Sequence, residues 1–362
     1  MKNKLHDKVM NKVIIVVLTS LMLTLVSVAR SPFRKRDTDM PRITIGWKGA
    51  TKAITQTHWA YKEYPIFTTF NADYFYEHIL PDDYISSVNT NEPPIDCCVL
   101  NNLIKGLLVE LKKQKKQYTH FTLLQDKNFN HNQRCGLLIL KFKNYPFVLK
   151  LFMETPKTFI DPYCKGFENQ FFFYMSGGMN RHVAGLTRVK NLELVNNQIK
   201  EHARWNSCIT TPRKWYWLPK KPRWIQIKGW NIGGKKELST IMPSVYAIVA
   251  DAINTKEDAP LLSSQEKSEL IMELCMDLHL FVDPHADNFV IKHNKELDTY
   301  HISIVDTEHF PSIVGLQEEP FFNNHLEWYL YLGAKYFQDA FLQTKFDRRT
   351  AQNKVNPYAI KW

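Results

Sequence analysis

The stretch that most constrains this chain is Phe281-Val282-Asp283-Pro284-His285-Ala286-Asp287-Asn288-Phe289-Val290-Ile291. It is followed by a second short apolar run, His301-Ile302-Ser303-Ile304-Val305, which ends in Asp306-Thr307-Glu308. Both runs read as strands, and Lys292 to Asp298 between them is polar enough to be a hairpin loop. Antiparallel pairing puts Asn288, which opens the first strand, and Asp306, which closes the second, at the same end of the ribbon. Two oxygen ligands side by side there suit Mg²⁺, a hard cation that prefers one or two carboxylates plus phosphate oxygens. Asp283, on the loop just before, is placed to orient a hydroxyl for attack on a phosphate. The plainer alternative is a β-hairpin whose Asp and Asn merely cap turns.

The pattern D-x-x-x-x-N, then strand, turn, strand and D, resembles the catalytic centre of the protein-kinase-like superfamily. His285, two residues after Asp283, and Glu308, two after Asp306, are similar to the small-molecule branch, the aminoglycoside and choline kinase type. Phe281-Val282 departs from the His-Arg or His-Gly expected before the Asp. The resemblance implies an α+β, bilobal kinase-like fold with an antiparallel-sheet N-lobe and a short helical C-lobe. It implies ATP and Mg²⁺ as cofactors, Asp283 as catalytic base, and Asn288 and Asp306 as metal ligands, with Glu308 adding another.

Upstream, Phe121 to Leu124, Leu137 to Phe142 and Phe147 to Phe152 read as three strands, the first three of such an N-lobe. The loop from Gln125 to Gly136, expected to cover phosphates, holds a single glycine. Val148-Leu149-Lys150 resembles the kinase V-A-I-K lysine. A lone Lys amid apolar residues needs an anionic partner; Glu168, which opens an expected short helix to Met175, and Glu154 compete for that role. Gly177 and Gly178, with Arg181, Arg188 and Lys190 nearby, read either as a phosphate cradle or as a helix stop. Leu192 to Trp205 reads as helix. Trp215 to Trp230 reads as the last two N-lobe strands, broken by Pro219 and Pro222, leading to a hinge near 227–234. Ile241 to Ile253 reads as helix. Ser263-Ser264-Gln265-Glu266 is a capping box, opening a helix with Leu270, Ile271, Leu274, Cys275 and Leu278 on one face. Asn324 to Lys345 reads as an aromatic amphipathic helix. The segment after Glu308 is short and has no A-P-E-like stretch, which argues against an ordinary protein kinase.

At the other end, Val13 to Ala29 is an apolar run flanked by basic residues, with Ser27-Val28-Ala29 before Arg30. It reads as a signal peptide, or as an uncleaved anchor near the lower limit of about 17 residues for a spanning helix. The expected layout is therefore signal peptide or anchor at 1–29, linker and aromatic accessory region at 30–117, N-lobe at 118–232 and C-lobe at 233–362. Within the accessory region, Asn71 to Leu80 and Cys97 to Leu111 read as helices. The run from Lys112 to Lys116 is a solvated helix end or a phosphoinositide contact.

A formal charge of +11 points to anionic partners. No C-x-x-C, zinc-finger or RNP-like motif directs that charge to nucleic acid. The six cysteines have neither disulfide-framework nor metal-ligand spacing. The expectation is an exported protein, secreted or periplasmic, or else membrane-anchored through its N-terminus. It binds a nucleotide, acts on an unidentified small-molecule or protein acceptor, and has an effector role. The alternative is a pseudokinase, a binding module without turnover, suggested by the glycine-poor loop and the export signal.

Overall fold

The computed structural model describes residues 42–57, 72–87, 93–115, 117–160, 178–230, 237–253, 262–280, 282–283, 285–294 and 299–308. The chain divides into two units, Met1–Met40 and Pro41–Trp362, and every described residue lies in the second. The apolar run from Val13 to Ala29, Glu168 and its expected helix, Gly177, and the expected helix from Asn324 to Lys345 lie outside the described residues.

The strands are β1 (Arg42–Trp47), β2 (Ala53–Thr57), β3 (Tyr84–Ile85), β4 (Ile95–Asp96), β5 (Phe121–Gln125), β6 (Phe129–Asn130), β7 (Cys135–Phe142), β8 (Phe147–Met153), β9 (Ile209–Thr210), β10 (Lys214–Trp217), β11 (Trp224–Trp230), β12 (Leu238–Pro243), β13 (Val245–Asp251), β14 (Phe289–Asn294) and β15 (Thr299–Ile304). The helices are α1 (Ala72–Glu77), α2 (Cys97–Lys112), α3 (Pro156–Ile160), α4 (Gly178–Glu201) and α5 (Ser264–Asp277). The fold is α+β, with sheets that are antiparallel apart from one short pairing, β9 with β15.

The largest sheet has the order β10-β13-β8-β7-β5, with β6 hairpinned onto β7. The three strands expected between Phe121 and Phe152 form as neighbours within it. Both faces are covered, so its central strands are nearly continuous apolar runs. On one face Leu149, Leu151, Leu138, Leu140 and Val249 pack against Leu100, Ile104, Leu107 and Leu111 of α2. Asp96 caps that helix by accepting from Cys98 N at 2.7 Å. The buried stripe is 97/100/104/107/111, and Val99 is exposed. On the other face Phe152, Tyr216, Tyr246 and Ile248 meet Leu186 and Val189 of α4, together with Ile45, Ile225, Ile227 and Met242 of a second sheet.

That second sheet, β12-β11-β1-β2, departs from the sequence reading. The two strands expected between Trp215 and Trp230 do form, but in different sheets. β10 edges the large sheet, while β11 pairs with β1, Arg42 opposite Trp230. Residues 224–230 are therefore ladder rather than approach to a hinge, and 231–234 lie outside the described residues. The helix expected over Ile241 to Ile253 is instead β12 and β13. β13 lies between β8 and β10 and is buried along almost its whole length. An apolar run buried on both sides carries no period that separates strand from helix. The strand pairing thus carries the large sheet past the expected lobe boundary at 232.

The long helix α4 begins at Gly178, where a stop or cradle was expected, well before Leu192. Its first half packs under the large sheet. Its second half places Val195 and Ile199 in a third cluster, with Ile271, Leu274 and Cys275 of α5 and Phe289, Ile302 and Ile304 of the hairpin. α4 therefore joins two cores. Gly185 permits the close approach: a Cβ there would lie 2.1 Å from Tyr246 Oη and 2.6 Å from a Phe152 ring carbon.

Candidate functional site

The capping box forms as expected, with Glu266 N donating to Ser263 Oγ at 3.2 Å and Ser263 N to Glu266 Oε2 at 2.7 Å. α5 ends in a left-handed residue, His279 at φ 48°, and Leu280 N closes back on Cys275 O at 2.8 Å. This turn aims the chain at Val282, buried in the third cluster, and so at Asp283.

Asp283 is half-buried. Its Oδ1 accepts from His285 N at 3.1 Å, and its carbonyl accepts from Asn288 Nδ2 at 3.1 Å. A single 3-10 turn, Ala286–Asn288, then leads into β14. β14 and β15 pair antiparallel with Phe289 opposite Ile304, and Val305 N donates to Asn288 O at 2.8 Å. Asp283, Asn288 and the strand end carrying Asp306 are thus linked by successive hydrogen bonds.

Asp306 does not face solvent. Lys150 Nζ, from the middle of β8 and 156 positions away, donates to its Oδ2 at 2.9 Å. Arg188 Nε, from α4, donates to Oδ1 at 2.6 Å, and Arg188 Nη2 to Glu308 Oε2 at 2.5 Å. The residue between them is fixed as well. Thr307 Oγ1 donates to Arg188 O at 2.6 Å and accepts from Lys214 Nζ at 2.7 Å, while its carbonyl accepts from Asn191 Nδ2 at 3.0 Å. Lys150 and Lys214 share the α4-covered face because Ile248 stands opposite both Lys150 and Tyr216 in the ladder.

Burial and charge together set the protonation states. Burial opposes ionisation of Asp306, but Arg188 and Lys150 reverse this and hold its carboxyl well below the usual range. Burial pushes Glu308 up to about 7, against the pull of Arg188. Burial lowers Lys150 despite Asp306, and brings Lys214 down to about 7. Arg188 is raised above its ordinary value by Asp306 and Glu308, which outweigh its burial.

The partner of Lys150 among the described residues is therefore Asp306, and Glu154 plays no part in that pair. Both oxygens of Glu154 are buried, and burial pushes its carboxyl up to about 8 against the opposing pull of Thr158 and Arg181. Glu154 lies against Gly178: a Cβ there would meet Thr158 O at 2.2 Å and Glu154 Oε2 at 2.9 Å. A buried carboxyl beside Gly178 is a poor neighbour for the expected phosphate cradle. The glycine-poor loop forms the β6–β7 hairpin, with Phe129 packed in the α2-covered cluster opposite Lys150.

Arg188, Lys214 and Asn191 escaped the sequence reading as site residues. Arg188 stood out only as a cation near the glycines. Lys214 opens its strand directly after Arg213, so it lacks the lone-cation signal that singled out Lys150.

The donor set disagrees with a magnesium ion held as the residues stand. Both Asp306 oxygens and one Glu308 oxygen are already engaged by cationic side chains at 2.5 to 2.9 Å. No cluster of three or more His, Cys, Asp or Glu able to hold a metal occurs among the described residues. Lys150, Arg188 and Lys214 all converge on the one segment Asp306 to Glu308. Among the described residues no helix is long and apolar enough to cross a membrane. No family model, curated protein or solved structure matches the chain.

Proposed function

We propose that the chain is a kinase-like phosphotransferase that takes its phosphoryl group from ATP. The observation that carries the reading is the 2.9 Å ion pair between Lys150 and Asp306. One resemblance implies a phosphate site for both the strand lysine and the hairpin aspartate, and the two meet across 156 positions. The bilobal arrangement belongs to the same proposal. β5, β7, β8, β13 and β10 supply the antiparallel N-lobe sheet, and α5 with the β14–β15 hairpin supplies the second lobe.

In this reading Lys150 contacts phosphate. Asp283, half-buried and close enough that its charge helps raise the Glu308 carboxyl, accepts the acceptor hydroxyl's proton. Asn288 holds the Asp283 loop through its amide. ATP would supply the transferred phosphoryl group, and most of the rate would come from fixed charge and positioning. The acceptor is a small molecule or a protein. Export or membrane anchorage through residues 1–29, with an effector role, is proposed from the sequence of that segment.

A specific observation favours a second reading, a pseudokinase that binds nucleotide or partner without turnover. Arg188 ties up Asp306 and Glu308 together. A melting curve with ATP, with Mg²⁺ or with EDTA, tests the nucleotide site. A rise that disappears in Lys150→Met supports it, and no shift under either condition defeats the phosphotransferase and the nucleotide-binding pseudokinase alike. Phosphoryl release from ATP that stops in Asp283→Ala, with the ATP-induced shift retained, identifies the enzyme. ATP-induced stabilisation in the wild type with phosphoryl release no faster than the protein-free background assigns the pseudokinase.

A further inference from the structure

Three cations converge on the segment Asp306-Thr307-Glu308, which brings only two carboxylates. Arg188 donates to Asp306 Oδ1 at 2.6 Å and to Glu308 Oε2 at 2.5 Å, and Lys150 covers the remaining Asp306 oxygen at 2.9 Å. These are lengths of charge-assisted hydrogen bonds. The side chains of Asp306 and Glu308 are only 13% and 16% exposed, so solvent screens the group little.

The guanidinium is also held in register from behind. Thr307 Oγ1 bonds the Arg188 carbonyl, Asn191 bonds the Thr307 carbonyl, and the Phe152 ring lies 5.7 Å from Arg188 Cζ. A planar cation fixed in this way spans two carboxylates much as a bridging metal ion would.

Building on the reading of this cluster as the phosphate site, we propose that Arg188 is its resident cation. It stands where a divalent ion would join Asp306 to Glu308, so the site receives phosphate on fixed side-chain charge and binds free divalent ions weakly. Even with both carboxylates ionised, they do no more than balance Lys150 and Arg188. A divalent ion would add positive charge beside Lys214, whose ammonium donates to a hydroxyl rather than to a carboxylate. Coulomb repulsion in a poorly screened site opposes that entry and favours a polyanion. Arg188 acts through Asp306 and Glu308 and is in this sense a positioning residue.

The test is Mn²⁺ binding to the full chain without nucleotide, followed by electron paramagnetic resonance. Arg188→Gln removes the guanidinium charge from both carboxylates and is expected to bind Mn²⁺ at least tenfold more tightly than the wild type. The gain should disappear in the Arg188→Gln, Glu308→Gln double variant. Wild-type protein that binds Mn²⁺ as tightly as Arg188→Gln overturns the proposal. So does a wild-type Mn²⁺ site that Glu308→Gln alone weakens tenfold, a measurement that stands even where Arg188→Gln does not fold. ATP-induced melting shifts on the same samples keep the two ideas apart. Their absence defeats the phosphotransferase reading, while the Mn²⁺ titration still decides what Arg188 does.

Discussion

Asp306 is the residue on which the most charge depends, because it neutralises two cations where Lys150 neutralises none but Asp306. Breaking a buried pair from one side leaves the other partner desolvated and uncompensated, at a cost of about 3–5 kcal/mol. Asp306→Asn should therefore lower the urea midpoint markedly. Lys150→Met should lower it less, since Asp306 keeps Arg188 and a costly buried ammonium is removed. The reverse order in equilibrium denaturation would show that Lys150 is the keystone. Glu154 gives a pH-dependent prediction. Its carboxyl stands near 8 in the fold against an ordinary 4.5, so between those values the folded state keeps a proton that the unfolded chain releases. Stability from this group is then fully present below about 4.5 and is lost as pH rises toward 8, by up to about 1.4 kcal/mol per unit. Glu154→Gln should match the wild type near pH 5 and exceed it above pH 8; an equal offset at both pH values would mean that Glu154 does not titrate there. At this scale it was legible that Lys150 would have an anionic partner, because a lone cation in an apolar strand advertises one. Which partner was not legible: Asp306 lies 156 positions from Lys150 and 118 from Arg188, and no local pattern encodes such distances.

Among the elements, α4 matters most, and its closest contact with the sheet is at Gly185. A methyl group there would overlap the Tyr246 hydroxyl, which donates to His182 O at 2.5 Å, and the Phe152 ring stacked on Tyr246. Gly185→Ala gains helix propensity but must push α4 off β8 and β13, and overpacking of this kind typically costs about 1–3 kcal/mol. The expected outcome is a net loss in thermal stability with a weaker ATP-induced shift, because Arg188 lies one turn further along the same helix. A stabilised variant would mean that the helix can slide freely. α5 was legible from its capping box and α2 from its apolar spacing, both local signals. β12 and β13 were read as helix because burial on both faces erases the alternation that marks a strand. β1 and β11 could not be paired in advance, since their ladder joins segments far apart in sequence and fixes neither until both are present.

On the scale of the whole described unit, two apolar cores share one helix and one charged joint. The cores flanking the large sheet hold β8 and β13 from both sides. The hairpin β14–β15 belongs to a separate cluster, and its only further strand neighbour among the described residues is the two-residue β9. The hairpin should therefore open while the large sheet stays folded, a local event of lower free energy than global unfolding. Hydrogen exchange separates the possibilities because a substitution changes protection only where its surroundings differ between the closed and open forms. Ile104→Ala, in the core under α2, weakens packing that survives hairpin opening. It should speed exchange in β8 and β13 at least tenfold, in line with a cost of about 2–5 kcal/mol, and leave β14 and β15 unchanged. Asp306→Asn removes ion pairs that come apart in both openings and should speed exchange in all four strands alike. If Ile104→Ala instead speeds all four strands equally, the unit opens in a single step, and the hairpin that ends beside Asp306 does not come away from the large sheet on its own.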